Sequence, residues 1–146
     1  MGLATRNLQA FLMMAALFQV SLGAVYMVGD SAGWMLPILG IVDYNKWTSN
    51  KTFHVGDIII FNYNSLFHNV REVTHQNFKN CNATSPIVSY DSGFDAITLK
   101  TLGHWYFICG VAGHCQMGMK VDIKVTPFSP PPTASPPPAP APISGA

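Results

Sequence analysis

Residues 109–119 read Cys-Gly-Val-Ala-Gly-His-Cys-Gln-Met-Gly-Met, and they follow directly on a strand-like run, residues 105–108. The glycines at 110 and 113 let the chain fold back, so that a thiolate, an imidazole and a thioether can reach one point. Copper that cycles between Cu(I) and Cu(II) commonly binds two imidazoles, one thiolate and a weak axial thioether. We therefore predict a copper site on this loop, with Cys109, His114 and a methionine as donors and a second histidine from elsewhere.

The first two dozen residues have the features of a secretory signal peptide. A single charge, Arg6, precedes an apolar stretch over residues 10–18, and small residues follow in the run 21–24. The apolar part is too short to span a bilayer. We expect a signal peptide over residues 1–24, cleaved near Gly23 or Ala24, and a secreted, extracellular protein.

The rest of the chain divides into one globular domain and a tail. Residues 25–127 are apolar and aromatic, and about a hundred residues can bury a single core. Residues 128–146 alternate proline with alanine and serine, which predicts a disordered, extended, Pro-rich tail. The chain has 8 Lys and Arg against 7 Asp and Glu, so without Arg6 the charges balance. A neutral domain gives no reason to expect a nucleic acid as partner.

Short apolar runs between turn residues predict an all-β domain. They are rich in Val, Ile, Tyr and Phe. Seven runs have strand length: 25–29, 58–63, 70–74, 87–90, 96–101, 105–108 and 121–126. Alternating charges in the last run predict one buried and one wet face, whereas the continuous apolar run 57–63 predicts a strand covered on both faces. One short helix is predicted at 75–79.

Several motifs together resemble those of the plant phytocyanins, small blue copper proteins of the cupredoxin fold. The resemblance extends from Tyr26 to about Val125 and rests on segments 28–34, 53–57, 61–63, 68–70 and 106–115. They read Val-Gly-Asp-Ser-Ala-Gly-Trp, Phe-His-Val-Gly-Asp, Phe-Asn-Tyr, His-Asn-Val and Tyr-Phe-Ile-Cys-Gly-Val-Ala-Gly-His-Cys. The resemblance implies a cupredoxin-like Greek-key β-sandwich or barrel of about seven strands, with one or two short helices.

The resemblance also implies a ligand set for one mononuclear type 1 copper ion. His68 and His114 would be the imidazole ligands, Cys109 the thiolate and Met119 the axial thioether. The stellacyanin type carries glutamine at the axial position, so methionine makes the chain resemble the uclacyanin or the plantacyanin type. The Pro-rich tail favours the uclacyanin type, because plantacyanins usually lack such a tail.

Other residues compete for two of these roles. Met117 is an alternative axial ligand to Met119. Three further histidines compete with His68: His54, His75 and His104. His104 lies five residues before Cys109 and would therefore point to the opposite face of a strand. Nothing in the spacing of the other two favours them.

The remaining cysteines and two sequons fit an oxidising, secretory route. We expect a disulfide between Cys81 and Cys115, because pairings that use Cys109 would destroy the metal site. The sequons that begin at Asn50 and Asn82 are predicted N-glycosylation sites.

A one-electron carrier is the function these features predict, rather than an enzyme. The sequence has no His-x-His pair, and four protein ligands leave no open position for a substrate. A Cys–His nucleophile pair would explain neither His68 nor Met119. We expect an apoplastic monomer with an unidentified small-molecule or protein redox partner, associated with the plant cell wall or the plasma-membrane exterior.

An extracellular, wall-associated recognition or signalling module is the alternative function, because related early-nodulin-like proteins keep this fold without the ligands. Many uclacyanin-like precursors end in an apolar tail that directs a lipid anchor, and the given sequence reaches Ala146 without one. We therefore expect either a freely secreted protein or a sequence that continues past Ala146.

Overall fold

Eight strands and two short α-helices make up the computed structural model, which describes residues 23–128 and 136–143. The strands are β1 (Val25–Met27), β2 (Phe53–His54), β3 (Ile58–Asn62), β4 (Val70–Val73), β5 (Val88–Tyr90), β6 (Phe94–Thr98), β7 (Gly103–Ile108) and β8 (Lys120–Thr126). The helices are α1 (Tyr44–Ser49) and α2 (His75–Asn80), and a 3-10 turn covers Asp30–Ala32.

The strands form two sheets. One has the order β1-β3-β6 and the other β2-β8-β7-β4-β5. The pairs β1–β3 and β2–β8 are parallel, and the remaining pairs are antiparallel. The predicted all-β fold is therefore confirmed, with the two-residue strand β2 in addition to the seven expected strands.

Aromatic side chains fill the space between the sheets. Phe61 of β3 lies 5.0 Å from Trp34 and 5.1 Å from Phe107 of β7, centroid to centroid, and all three are fully buried. Burying each such side chain contributes about 1.5–3 kcal/mol. These contacts hold β7, the strand that leads to Cys109, against the opposite sheet.

Burial along the strands confirms one prediction and corrects another. In β8, Val121, Ile123 and Val125 are buried while the intervening residues are more exposed, as the alternation predicted. In β3, Ile58 and Ile60 are only half-buried. The expectation that both faces of this strand are covered was wrong, because one face of its sheet packs against the second sheet and the other receives only partial cover.

The two helices are short and capped by side chains. The carboxylate of Asp43 accepts a hydrogen bond from Lys46 N at 3.0 Å at the start of α1. Helix α1 itself was not predicted from the sequence. Helix α2 confirms the helix expected at 75–79, and the Thr74 hydroxyl caps it. Within the described residues, no helix combines the length and apolar character needed to cross a membrane.

Parts of the predicted domain organisation lie outside the described residues. They are residues 1–22, which make up nearly all of the predicted signal peptide, and residues 129–135 and 144–146 of the predicted tail. The signal peptide and the disordered tail therefore stay predictions from the sequence.

Candidate metal centre

Two loops bring the predicted donors together at one end of the five-stranded sheet. Cys109 follows the last residue of β7, and Met119 precedes the first residue of β8. His68 lies just before β4, which pairs with β7 so that Arg71 is opposite Ile108. This register carries the loop that bears His68 alongside the loop 109–119.

Three of the predicted donor atoms converge. The Nδ1 atoms of His68 and His114 are 3.2 Å apart, and Cys109 Sγ lies 3.5 Å from His114 Nδ1. All three ligand atoms lie within 4.8 Å of one another. A single small ion can contact atoms at these separations.

Burial and electrostatics favour metal binding by this cluster. Cys109 is 1% exposed, whereas both histidines are half-buried. Burial lowers the pKa of His68, and repulsion from His114 lowers it further. A lowered pKa keeps the imidazole neutral at physiological pH, and the neutral ring is the form that binds a metal.

The two candidate methionines differ in exposure. Met119 is 0% exposed, and Met117 is 55% exposed. Cys109 N donates to Met119 O at 3.0 Å, and Met119 N donates to His114 O at 3.0 Å. The backbone of Met119 is thus bonded to both donor residues of its own loop, whereas the Met117 side chain faces solvent.

Asn69 joins the two loops, a role that its sequence context did not predict. Its Oδ1 accepts a hydrogen bond from Gly110 N at 2.6 Å, and its carbonyl accepts one from Trp34 Nε1 at 2.9 Å. A Cβ on Gly110 would lie 3.1 Å from Asn69 Oδ1, so glycine suits this close approach. The position of Asn69 directly after His68 was the only available signal.

The disulfide between Cys81 and Cys115 is present, with the Cα atoms 5.6 Å apart. It links the C-terminal end of α2 to the residue after His114, and Cys115 packs against Val73 and Ile108. Cys109 is the free cysteine of the described chain. The predicted pairing is therefore confirmed.

The competing histidines lie away from the cluster. His104 is exposed on β7, with its Nδ1 2.7 Å from Asp122 Oδ1. His75 stacks on Tyr106, and His54 lies beside Asp57. In residues 23–128 and 136–143, one group of three metal-ligating side chains is found, and it contains none of these histidines.

The surface around the two donor histidines is apolar. His68 and His114 line an open depression with four apolar residues, Leu36, Leu66, Phe67 and Val111. Leu66 and Phe67 are exposed. Two large apolar side chains are thus exposed beside the two donor histidines.

Both predicted glycosylation sites are at the surface. Asn50 and Asn82 are exposed. Oδ1 of Asn82 accepts hydrogen bonds from the backbone and the hydroxyl of Thr84 at 3.0 and 2.6 Å. The modification itself remains a prediction.

Comparison with known proteins agrees with this geometry. A family model described as a plastocyanin-like domain matches residues 34–119. A stellacyanin from Toxicodendron vernicifluum is 57% identical over 103 residues, which is 70% of this chain and 96% of the relative. A blue copper protein from Pisum sativum is 46% identical over 105 residues, or 72% of this chain and 53% of the pea protein. This chain thus spans about half the length of the pea relative.

A solved structure confirms the fold class. Cucumber stellacyanin, in a structure with Cu2+, matches with a TM-score of 0.66 at 37% identity, over 73% of this chain and 98% of that one. Two of these similar proteins are stellacyanins, and neither tests the uclacyanin subtype, which therefore stays a prediction.

Proposed function

The chain belongs to the plastocyanin-like family of plant blue copper proteins, the phytocyanins, and on that premise we propose that it carries single electrons with His68, Cys109, His114 and Met119 as copper ligands. The observation that carries the proposal is the convergence of the His68, Cys109 and His114 donor atoms within 4.8 Å.

The donor set fits a type 1 copper ion by its chemistry. One thiolate and two imidazoles with a weak axial thioether are the donor set of blue-copper electron-transfer sites, whereas hard cations such as Ca²⁺ and Mg²⁺ require oxygen ligands. No carboxylate belongs to the group of donors found in the described residues. When bound, copper supplies a centre that gains or loses one electron.

The protein contributes a rigid frame for these donors. Two backbone hydrogen bonds within the loop hold Cys109, His114 and Met119 in fixed relation. The Asn69 side chain and the disulfide attach the same loop to its neighbours. Because the donors cannot spread freely, little atomic motion accompanies a change in oxidation state, and this favours fast electron transfer.

Electrons enter and leave through the histidine side of the site. Cys109 is buried, whereas His68 and His114 reach the apolar depression at the surface. A partner that covers this depression would approach the two imidazole rings and exclude water from the contact. The proposed role is that of an electron carrier rather than an enzyme.

The proposed location is outside the cell. A disulfide persists in oxidising compartments, and both sequons are exposed where a glycosyltransferase could reach them. The signal-peptide pattern of residues 1–24 supports the same route. We place the protein in the apoplast as a monomer, next to the cell wall or the plasma-membrane exterior.

Visible absorption and electron paramagnetic resonance of the Cu(II)-loaded protein test the proposal. We expect an intense blue band from thiolate-to-copper charge transfer. Cys109→Ser should abolish the band and His68→Asn should weaken or shift it, with the circular dichroism of the fold unchanged. His104→Asn, away from the cluster, is the matched control and should leave the spectrum unaltered. A colourless wild-type protein after copper loading would contradict the ligand assignment.

A further inference from the structure

Asp57 is a buried carboxylate that lacks a permanent cationic partner. It is 4% exposed; its Oδ2 accepts a hydrogen bond from His54 N at 2.8 Å, and its Oδ1 accepts one from Ala24 N at 2.9 Å. The nearest basic group is the His54 ring, with Nδ1 3.8 Å from Oδ2. Across residues 23–128 and 136–143, no lysine or arginine forms an ion pair with it. Burying a carboxylate is costly unless a cation or further hydrogen bonds compensate.

Both backbone polar groups of Ala24, the N–H and the carbonyl, form hydrogen bonds. Its nitrogen donates to Asp57, and its carbonyl accepts a hydrogen bond from Ile58 N at 2.8 Å. The register of β1 on β3 then begins with Val25 opposite Ile58. The carboxylate of Asp57 therefore contacts the backbone nitrogen of the residue that immediately precedes β1.

The residues that precede the nitrogen of Ala24 in the sequence also have the pattern of a cleavage site. Small residues, Ser21 and Gly23, occupy the third and first positions before the Gly23–Ala24 bond, which is the pattern of a signal-peptidase site. Cleavage after Ala24 would place the bulky Leu22 at the third position before the cut, where a small residue is required. For the bond before Gly23, Leu22 would adjoin the cut directly.

We infer that the Gly23–Ala24 peptide bond is the processing site, and that the α-ammonium group released at Ala24, an exposed residue, forms an ion pair with the buried carboxylate of Asp57. An endopeptidase of the signal-peptidase class supplies the hydrolysis. One water molecule is consumed, Gly23 keeps the new carboxylate, and the nitrogen of Ala24 becomes an ammonium group. The inference rests on the proposed secretory route.

This assignment gives Asp57 a partner that only the mature chain contains. In the precursor, the nitrogen of Ala24 is an amide that offers a neutral hydrogen bond. In the mature chain, the same nitrogen carries a full positive charge at the same position. Processing thus completes the charge balance at the start of β1.

The N-terminus of the secreted, copper-containing protein tests the cleavage site. We expect intact mass and N-terminal sequencing to identify Ala24 as the first residue. A secreted protein that begins at Gly23, Val25 or any other residue would overturn the inference and leave the secretory route intact. An uncleaved protein retained in the cell would contradict both.

Nα-acetylation of the protein that begins at Ala24 tests the ion pair. An Nα-acetyltransferase removes the charge, leaves an N–H donor and spares the lysines. We expect acetylation to lower the thermal midpoint by a few degrees, up to roughly 8 °C, in the wild type, because the cation of the pair lies on an exposed residue, and by much less in Asp57→Asn. An unchanged wild-type midpoint would refute the ion pair, even if Asp57→Asn fails to fold. Equal shifts in the two proteins would refute it as well.

Discussion

Loss of the disulfide should lower the stability of the domain by a calculable amount. Replacing Cys81 and Cys115 together with alanine opens a loop of 34 residues. The chain-entropy relation for a loop of that size gives about 3.8 kcal/mol at 25 °C. Both cysteines must be replaced, because either one alone could pair with Cys109 and obscure the result.

This loss should appear as a large shift in the unfolding transition. A change of 1 kcal/mol moves the thermal midpoint of a domain of this size by about 4–8 °C, so the double variant should melt roughly 15–30 °C lower. The variant should still fold at 25 °C if the domain has the stability usual for its size, about 5–15 kcal/mol. Copper should bind the variant more weakly, because the residue after His114 is no longer tethered to α2.

Urea unfolding of the copper-free proteins provides the assay. Gln116→Ala, an exposed change in the same loop, is the matched control and should alter the free energy of unfolding by less than about 0.5 kcal/mol. A double variant that loses less than about 1 kcal/mol would refute the reasoning. It would show that the loop 109–119 is held by its hydrogen bonds and packing, and that the cross-link is not needed.

Three further substitutions test the axial ligand, the link between the loops and the buried tyrosine. Met119→Gln should lower the reduction potential, because an oxygen donor favours Cu(II); each tenfold change in relative affinity is worth about 59 mV in voltammetry. Met117→Gln should leave the potential unchanged, and equal effects of the two would contradict the assignment. Asn69→Ala leaves Gly110 N–H without its acceptor and should cost about 1–3 kcal/mol in urea unfolding, whereas Asn69→Asp keeps an acceptor and should cost less. Burial raises the pKa of Tyr44 to about 12, so between pH 10 and 12 the unfolded chain ionises this group while the folded chain does not. Stability should therefore fall with rising pH by about 2–3 kcal/mol more in the wild type than in Tyr44→Phe, and identical pH profiles would count against the buried hydroxyl.

The loop 109–119 shows what the sequence could predict. Its donor types and spacing indicate copper, and the structure brings Cys109 and His114 together with His68. The pairing of Cys81 with Cys115 was also predictable, because Cys109 was already assigned to the metal. These inferences succeed because metal and thiol chemistry restricts residue type and spacing tightly.

Short elements and contacts across loops were beyond the sequence analysis. Helix α1 has six residues and strand β2 has two, too few to show a clear period. Helix α1 is stabilised by burial of Tyr44 and Trp47 rather than by its own length. The role of Asn69 depends on the approach of Gly110 from a segment about forty residues away, which no local pattern indicates.

The hydrogen bond that joins the ends of the loop 109–119 has a consequence for how such sites can change. Three of the four proposed ligands lie on one continuous segment, and its ends are joined by the hydrogen bond between Cys109 N and Met119 O. We therefore expect the segment to be exchangeable as a unit between related chains that keep its two outside attachments, Asn69 and Cys81, with one replacement altering spacing, axial donor and exposure together. Evolution, or a protein engineer, can retune the redox behaviour in a single step while the sandwich beneath it stays constant.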